Sequence, residues 1–239
     1  MKTLIFAAGL GTGLAPLTRN TPKALVKVNG KPMLQMLIEK LKKQNINEFV
    51  INIHHFGGQI IEFLKANNNF NCQIEISDER DKLLETGGGL KKAEKFLKDE
   101  PYFLVHNADI YSEISIAEME TVHRVSDALA TLAVKNRKSS RKLGFDKNKQ
   151  LSAWRNNSTG EEIFSRKPEE SLDYLAFSGI HIIRSDIFKY LTAGKKYSIT
   201  PEYLKLSAKH KIIGFEHCEP VFDLGTPERI AEFEKYLSL

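Results

Sequence analysis

Residues 4–26 read LIFAAGLGTGLAPLTRNTPKALV. The apolar run from Leu4 to Ala8 has the length and flanks of a buried strand, and a loop bearing Gly9, Gly11 and Gly13 follows it. Such a loop is suited to phosphate: glycines let the backbone approach a ligand, and successive backbone N–H groups, here Ala8 to Gly13, form a concavity that accepts anions. Pro16 and Pro22 break the segment that follows, which predicts a long irregular loop where a dinucleotide-binding turn would pass directly into a helix. Leu14 occupies the place of the third glycine of GxGxxG, and no GK[ST] closes a Walker loop. Lys23 instead stands alone at the end of a phosphate-sized loop.

Outward from this stretch, strand and helix patterns alternate. Helices are predicted over 31–44, 59–65 and 89–98, and strands over 48–53, 72–77 and 101–106. This is the pattern of an α/β, Rossmann-like, mainly parallel sheet with helices on both faces, whose ligands sit beyond the carboxyl ends of the strands. Asp109 follows such a strand end, where a carboxylate faces the crevice and a divalent cation holding phosphate oxygens is its usual partner. Beyond residue 112 a helix (114–126), a strand (129–134) and a polar, turn-rich stretch (137–160) predict a smaller antiparallel meander over the crevice. Strands at 173–183 and 211–215 and helices at 201–208 and 227–236 complete the chain. The expected organisation is one domain over 1–239, with a first part near 1–112, a second near 113–223 and a C-terminal helix at 227–237.

With 239 residues and 41% hydrophobic composition the chain can bury a proper core. It carries no run of about 18 apolar residues and no basic-then-apolar leader, so a cytoplasmic protein without membrane contact is expected. Cys72 and Cys218 lie far apart outside any metal-binding spacing, and both read as buried small hydrophobes. The formal charge of +5 is scattered and accompanies no nucleic-acid motif, so a small phosphorylated substrate is the simpler use of it. Trp154, the one tryptophan, reads as a packing residue.

Five ordered motifs carry a resemblance. Ala7 to Leu25 is similar to AAGxGTRLxPLTxxxPKxL, and Leu84-Glu85-Thr86-Gly87-Gly88-Gly89, Asn107-Ala108-Asp109, Phe177-Ser178-Gly179-Ile180 and Phe222-Asp223-Leu224-Gly225-Thr226-Pro227-Glu228 follow in order. The chain resembles the sugar-1-phosphate nucleotidyltransferases over nearly its whole length, which implies a nucleotide-binding part near 1–112 and a sugar-binding part near 113–223, where a sugar platform is the second reading of Trp154. The resemblance implies a nucleotide site at Ala8, Gly9, Gly11, Thr12, Gly13, Glu85, Gly88 and Asn107, and sugar contacts at Ser178, Gly179 and Lys167. It also implies catalytic roles for Lys23, Asp109 and Asp223, the two aspartates sharing Mg²⁺. Read from the residues alone, the glycines of 84–89 let a base lie flat while Glu85 accepts its hydrogen bonds, and the stretch also reads as a helix start capped by Thr86; the two are compatible. Gly179 is open to a second reading as a bulge.

The implied reaction is attack of a sugar-1-phosphate oxygen on the α-phosphorus of a nucleoside triphosphate, with loss of pyrophosphate. The nucleophile is already ionised, so positioning and charge neutralisation carry it and no general base is needed. The short chain most resembles the N-acetylmuramate-1-phosphate uridylyltransferase and mannose- or heptose-1-phosphate guanylyltransferase types, acting as a monomer or homodimer. One departure stands out: Gly13 holds the place of the motif's arginine, and Arg19 is the nearest substitute. A slowed or purely nucleotide-binding homologue is therefore the main alternative, and a nicotinamide-linked oxidoreductase is disfavoured by the missing third glycine.

Overall fold

The computed structural model describes residues 1–168 and 170–238. In chain order the first half forms β1 (Thr3–Phe6), the short strands β2 (Lys27–Val28) and β3 (Lys31–Pro32), α1 (Met33–Lys43), β4 (Glu48–Ile53), α2 (Gly57–Ala66), β5 (Gln73–Asp78), α3 (Glu85–Lys92), α4 (Glu94–Leu97) and β6 (Tyr102–Asn107). The remainder forms β7 (Ile110–Ser112), α5 (Ile116–Ser126), β8 (Ala130–Lys135), β9 (Arg141–Phe145), β10 (Leu151–Asn156), β11 (Glu162–Phe164), β12 (Asp173–Arg184), α6 (Ile199–Ser207), β13 (Ile212–Glu216), β14 (Val221–Asp223) and α7 (Pro227–Leu237).

Leu4 and Ile5 are both fully buried, yet they serve different cores. Successive strand residues face opposite sides, so Leu4 joins Val50, Val105, Leu90 and Leu204 on one face while Ile5 joins Ile51, Leu104 and the α1 stripe Leu34, Leu37, Ile38 and Leu41 on the other. This two-sided burial is why the strand reads as an unbroken apolar run rather than an alternating one. Each such buried aliphatic side chain contributes on the order of 2 kcal/mol of gross stabilisation, and these two clusters clamp helices to both faces of the sheet.

The main sheet runs β11-β10-β9-β12-β6-β1-β4-β5. It is a mixed α/β sheet of Rossmann-like character, parallel through β6, β1, β4 and β5. It continues into the antiparallel meander β9, β10 and β11 by way of the long β12. β8 pairs with β12 and runs parallel to β13. The pairing of β12 with β8 slips between Phe177 and His181, and Gly179 sits in that slip at φ +73°. The bulge reading of Gly179 is thus what the backbone shows.

A third cluster joins Leu14, Val26, Val28 and Met33 to Leu224, Ile230 and Phe233. It fastens the first loop to the C-terminal helix, which Thr226 caps by accepting from Arg229 N at 3.4 Å, with Pro227 in the first turn. Two expectations need correction. The helix expected from residue 89 starts at Glu85 and breaks at Ala93 into α3 and α4. Cys218 is exposed and Cys72 only half-buried where both were expected to be buried, and both are free thiols. Among the described residues no helix is long and apolar enough to cross a membrane.

Candidate active site

The site begins where β1 ends. Asn52 Oδ1 accepts from Ala7 N (2.7 Å) and Ala8 N (3.2 Å), its Nδ2 donates to Glu79 Oε1 (2.8 Å), and Glu79 Oε2 accepts from Leu84 N (3.2 Å). One buried relay therefore sets the spacing between the first loop and the start of α3. Glu79 is fully buried, and that burial is the main reason its carboxyl titrates above the usual range. Because Asn52 takes the Ala8 amide, Ala8 is not among the N–H groups left for a ligand. The amides of Gly9, Leu10 and Gly11 donate to no acceptor among the described residues.

Gly11 has φ +70°, and its carbonyl accepts from Thr18 Oγ1 (2.8 Å) and Leu14 N (2.9 Å). A Cβ there would lie 2.7 Å from Thr18 Cγ2 and 3.1 Å from Lys23 Cβ, so only glycine lets Lys23 pass this close beneath the loop. The Lys23 ammonium ends on Asp109.

Asp109 and Asp223, 114 positions apart by their numbering, are brought side by side by the β7–β14 pair. Asp223 stands opposite Ile110 in that pair, and Leu224 N donates to Asp109 O at 2.8 Å. The space in front of Gly225 is where the groups converge. The point a Cβ would occupy there is 2.8 Å from Asp223 Oδ1 and 3.6 Å from Lys23 Nζ. Asp223 Oδ1 also accepts from Gly225 N (3.0 Å), and its Oδ2 accepts from Arg229 Nη1 (2.6 Å). The Lys23–Asp109 and Arg229–Asp223 ion pairs thus flank Gly225.

Two cavities open beside these pairs. The first, 320 Å³, is lined by the loop at Ala7 to Gly9 and by Lys23, Asn52, Glu85, Asn107 and Asp109. The second, 560 Å³, is lined by Arg137, Trp154, Phe177, Asp223 and Arg229. Ser198 belongs to both. His106, a buried imidazole three residues before Asp109, is pushed down to about 4 by burial and lines neither cavity.

The family model described as nucleotidyl transferase matches residues 2–234. The chain belongs to the nucleotidyl transferase family. This nucleotidyl transferase is 30% identical over 240 residues to the N-acetylmuramate α-1-phosphate uridylyltransferase of Neisseria meningitidis, covering 97% of this chain and 96% of that one. It is 28% identical to the D-glycero-α-D-manno-heptose 1-phosphate guanylyltransferase of Campylobacter jejuni, with 98% of each covered. Its fold matches that of HddC from Yersinia pseudotuberculosis complexed with GMP-PN, with a TM-score of 0.79, 21% identity and 99% of both chains covered.

In this transferase Ala8, Gly9, Lys23, Glu85, Asn107 and Asp109 surround the first cavity and Asp223 lines the second. Glu85 adopts φ +59° at the start of α3, 3.5 Å from Lys196 Nζ. Other expected residues lie elsewhere. Gly88 is buried against the chain: a Cβ on it would meet Lys195 O at 2.2 Å, so its lack of a side chain serves packing and not a base. Thr86 does not cap α3 but accepts from Ile199 N (2.9 Å), capping α6 from across the site.

Ser178 is fully buried, and its hydroxyl is hydrogen-bonded to His217 Nε2 at 2.9 Å. Gly179 instead makes room for Asn107, whose Nδ2 would stand 2.9 Å from a Cβ. Lys167 lines a separate depression with Asp146 and Arg166. Thr12 and Arg19 are exposed and line neither of the two cavities. Gly13 is pressed against the Asp223 turn, where a Cβ would lie 2.7 Å from Gly225 O. Asn52, Ser198, Arg137 and Arg229 were not expected. For Asn52 a signal existed, one amide inside the apolar run EFVINI, whereas the others depend on segments folded in from afar.

Proposed function

We propose that this chain couples a nucleoside triphosphate to a sugar-1-phosphate, giving a nucleotide-activated sugar and pyrophosphate. The observation that carries the proposal is the placement of Lys23, Asp109 and Asp223 around Gly225, between two neighbouring cavities that share Ser198. In this reading the first cavity takes the nucleotide, with the free amides of Gly9 to Gly11 toward its phosphates and Glu85 toward its base. The second cavity takes the sugar, with Trp154 along its wall. Asp109 and Asp223 offer hard carboxylate oxygens, a donor set that fits Mg²⁺ completing its shell with water and phosphate oxygens. When bound, the ion would neutralise charge on the reacting phosphates. The residues themselves then have two tasks: holding two anions in line, and freeing Lys23 from Asp109 to face a phosphate.

The relatives support a type close to N-acetylmuramate-1-phosphate uridylyltransferase or to mannose- or heptose-1-phosphate guanylyltransferase. The test is a matrix of the four nucleoside triphosphates against sugar-1-phosphates with Mg²⁺, read as pyrophosphate release. We expect turnover for one base with few sugars, and a loss of about 100-fold or more in Asp109→Asn and in Asp223→Asn. No pyrophosphate from any pair, or undiminished rates in both variants, would overturn the assignment.

A further inference from the structure

The first loop lacks an arginine, Lys167 lies outside both cavities and Arg19 is on the surface, so the cations expected from sequence do not reach the sugar-side cavity. Another one does. Arg137 lies two residues beyond β8, is half-buried and lines that cavity together with Asp223 and Arg229. Its Nη2 donates to Phe177 O at 3.1 Å, while its Nε is buried with no partner.

Lys138, Arg141 and Lys142 also line this cavity; Lys138 and Arg141 are exposed, and of the four only Arg137 has a buried side-chain nitrogen without a partner among the described residues. Lys23 is paired with Asp109 and Arg229 with Asp223, whereas Arg137 has no carboxylate within 4 Å among the described residues. Burial lowers its pKa from the ordinary arginine value, the Asp223 charge working against that and the Arg229 charge with it. A guanidinium remains protonated even so, and one that has lost water without gaining an acid is a site prepared for an anion. Its flat fork matches two oxygens of a phosphate, which a hydroxyl-bearing ring cannot offer.

We propose that Arg137 receives the phosphate group of the sugar-1-phosphate, supplying from the sugar-side wall the charge that Gly13 cannot supply from the first loop. The phosphate in question is that of the sugar because Arg137 lines the second cavity and not the one beside the glycine loop. The assignment rests on the proposed function above and adds a residue and a direction of approach to it.

The experiment compares wild type, Arg137→Gln and Arg137→Lys. In pyrophosphate release we expect Arg137→Gln to raise KM for the sugar-1-phosphate by about 10- to 100-fold, the loss of one charge-assisted contact, with KM for the triphosphate changed by less than about threefold. Arg137→Lys should recover part of that loss. A residue that only held the fold would lower Tm in both variants, whereas removing an unpaired, half-buried cation should leave Tm equal or higher. Calorimetric titration of glucose-1-phosphate and mannose-1-phosphate, without nucleotide, gives a readout separate from turnover. An unchanged sugar-1-phosphate KM in folded Arg137→Gln, or equal loss for both substrates, overturns the proposal. Absence of turnover in wild type overturns the functional reading instead, and whether titrated binding weakens in Arg137→Gln then still decides the role of Arg137.

Discussion

Gly13 shows how far a single position can be read before its surroundings are known. Against the motif it resembles, it is a missing arginine, and restoring that arginine should speed pyrophosphate release. The fold reverses the sign. A Cβ on Gly13 falls 2.7 Å from the carbonyl of Gly225, a backbone atom in the turn that holds Asp223, and a backbone atom cannot swing aside as a side-chain end can. Gly13→Ala should therefore cost roughly 1–3 kcal/mol of stability, the usual range for overpacking, read from denaturant midpoints. Gly13→Arg should move the Asp223 turn and lower turnover, and a faster Gly13→Arg enzyme would show that the turn yields without harm. Lys23 and Asp109 were legible because each sits within or beside a local pattern, at the close of a glycine loop and past a strand end. The clash at Gly13 was not, because Gly225 arrives opposite it only through the third core cluster.

Among the elements, the strands were the most legible. Runs such as Glu48–Ile53 keep their bounds because an apolar stretch of that length between polar flanks has few other uses. The start of α3 was only one of two readings of 84–89 for the converse reason: three successive glycines argue against a helix by intrinsic propensity, and here packing overrules it. Gly87 and Gly88 let the segment at 195–197 lie on the helix, with Gly87 N donating to Tyr197 O at 2.8 Å. This docking brings Ser198 between the two cavities. A glycine-to-alanine change inside a helix ordinarily adds about 0.5–1 kcal/mol of stability. Gly88→Ala should instead destabilise by roughly 1–3 kcal/mol, since its Cβ would lie 2.2 Å from Lys195 O and that overlap outweighs the usual gain. Gly58→Ala in α2, with no atom within 4 Å of the added carbon, is the matched control and should be neutral or stabilising by up to about 1 kcal/mol. Equal thermal midpoints for the two variants would mean that the 195–197 segment does not rest on α3.

At the scale of the whole molecule, alternating strand and helix patterns announced the α/β sheet and a polar turn-rich middle announced the meander, but joining them through one long β12 demanded pairing information that no local pattern holds. The join has an energetic signature. His181 of β12 stands opposite Val105 of β6, beside His106, which pairs with Ile180, and both imidazoles are buried in the sheet. Burial pushes His106 down to about 4 and His181 to about 3, His106 itself adding to the effect on His181, and burial pushes His123 to about 4. Each is lowered relative to the unfolded chain, where histidine titrates near 6.5. As pH falls from about 6.5 toward 4 the unfolded chain takes up these protons and the native one does not, so stability is held above 6.5 and lost on acidification. The limiting slope is about 1.4 kcal/mol per pH unit for each such histidine, and three acting together would remove on the order of 4 kcal/mol per unit. Glu79 works oppositely: its raised carboxyl favours the native state at low pH, and that contribution fades as pH climbs from the ordinary carboxylate range through its raised value. The histidines outnumber it, so unfolding free energy measured by urea titration should drop between pH 6.5 and 4.5. His181→Gln, which keeps a polar group toward Tyr203 but cannot titrate, should lower stability at pH 7 yet reduce that slope by nearly a third. A wild-type profile that is flat across this interval would mean that the imidazoles at the junction of the two halves gain protons without unfolding, and hence that the sheet is open to water where β12 meets β6.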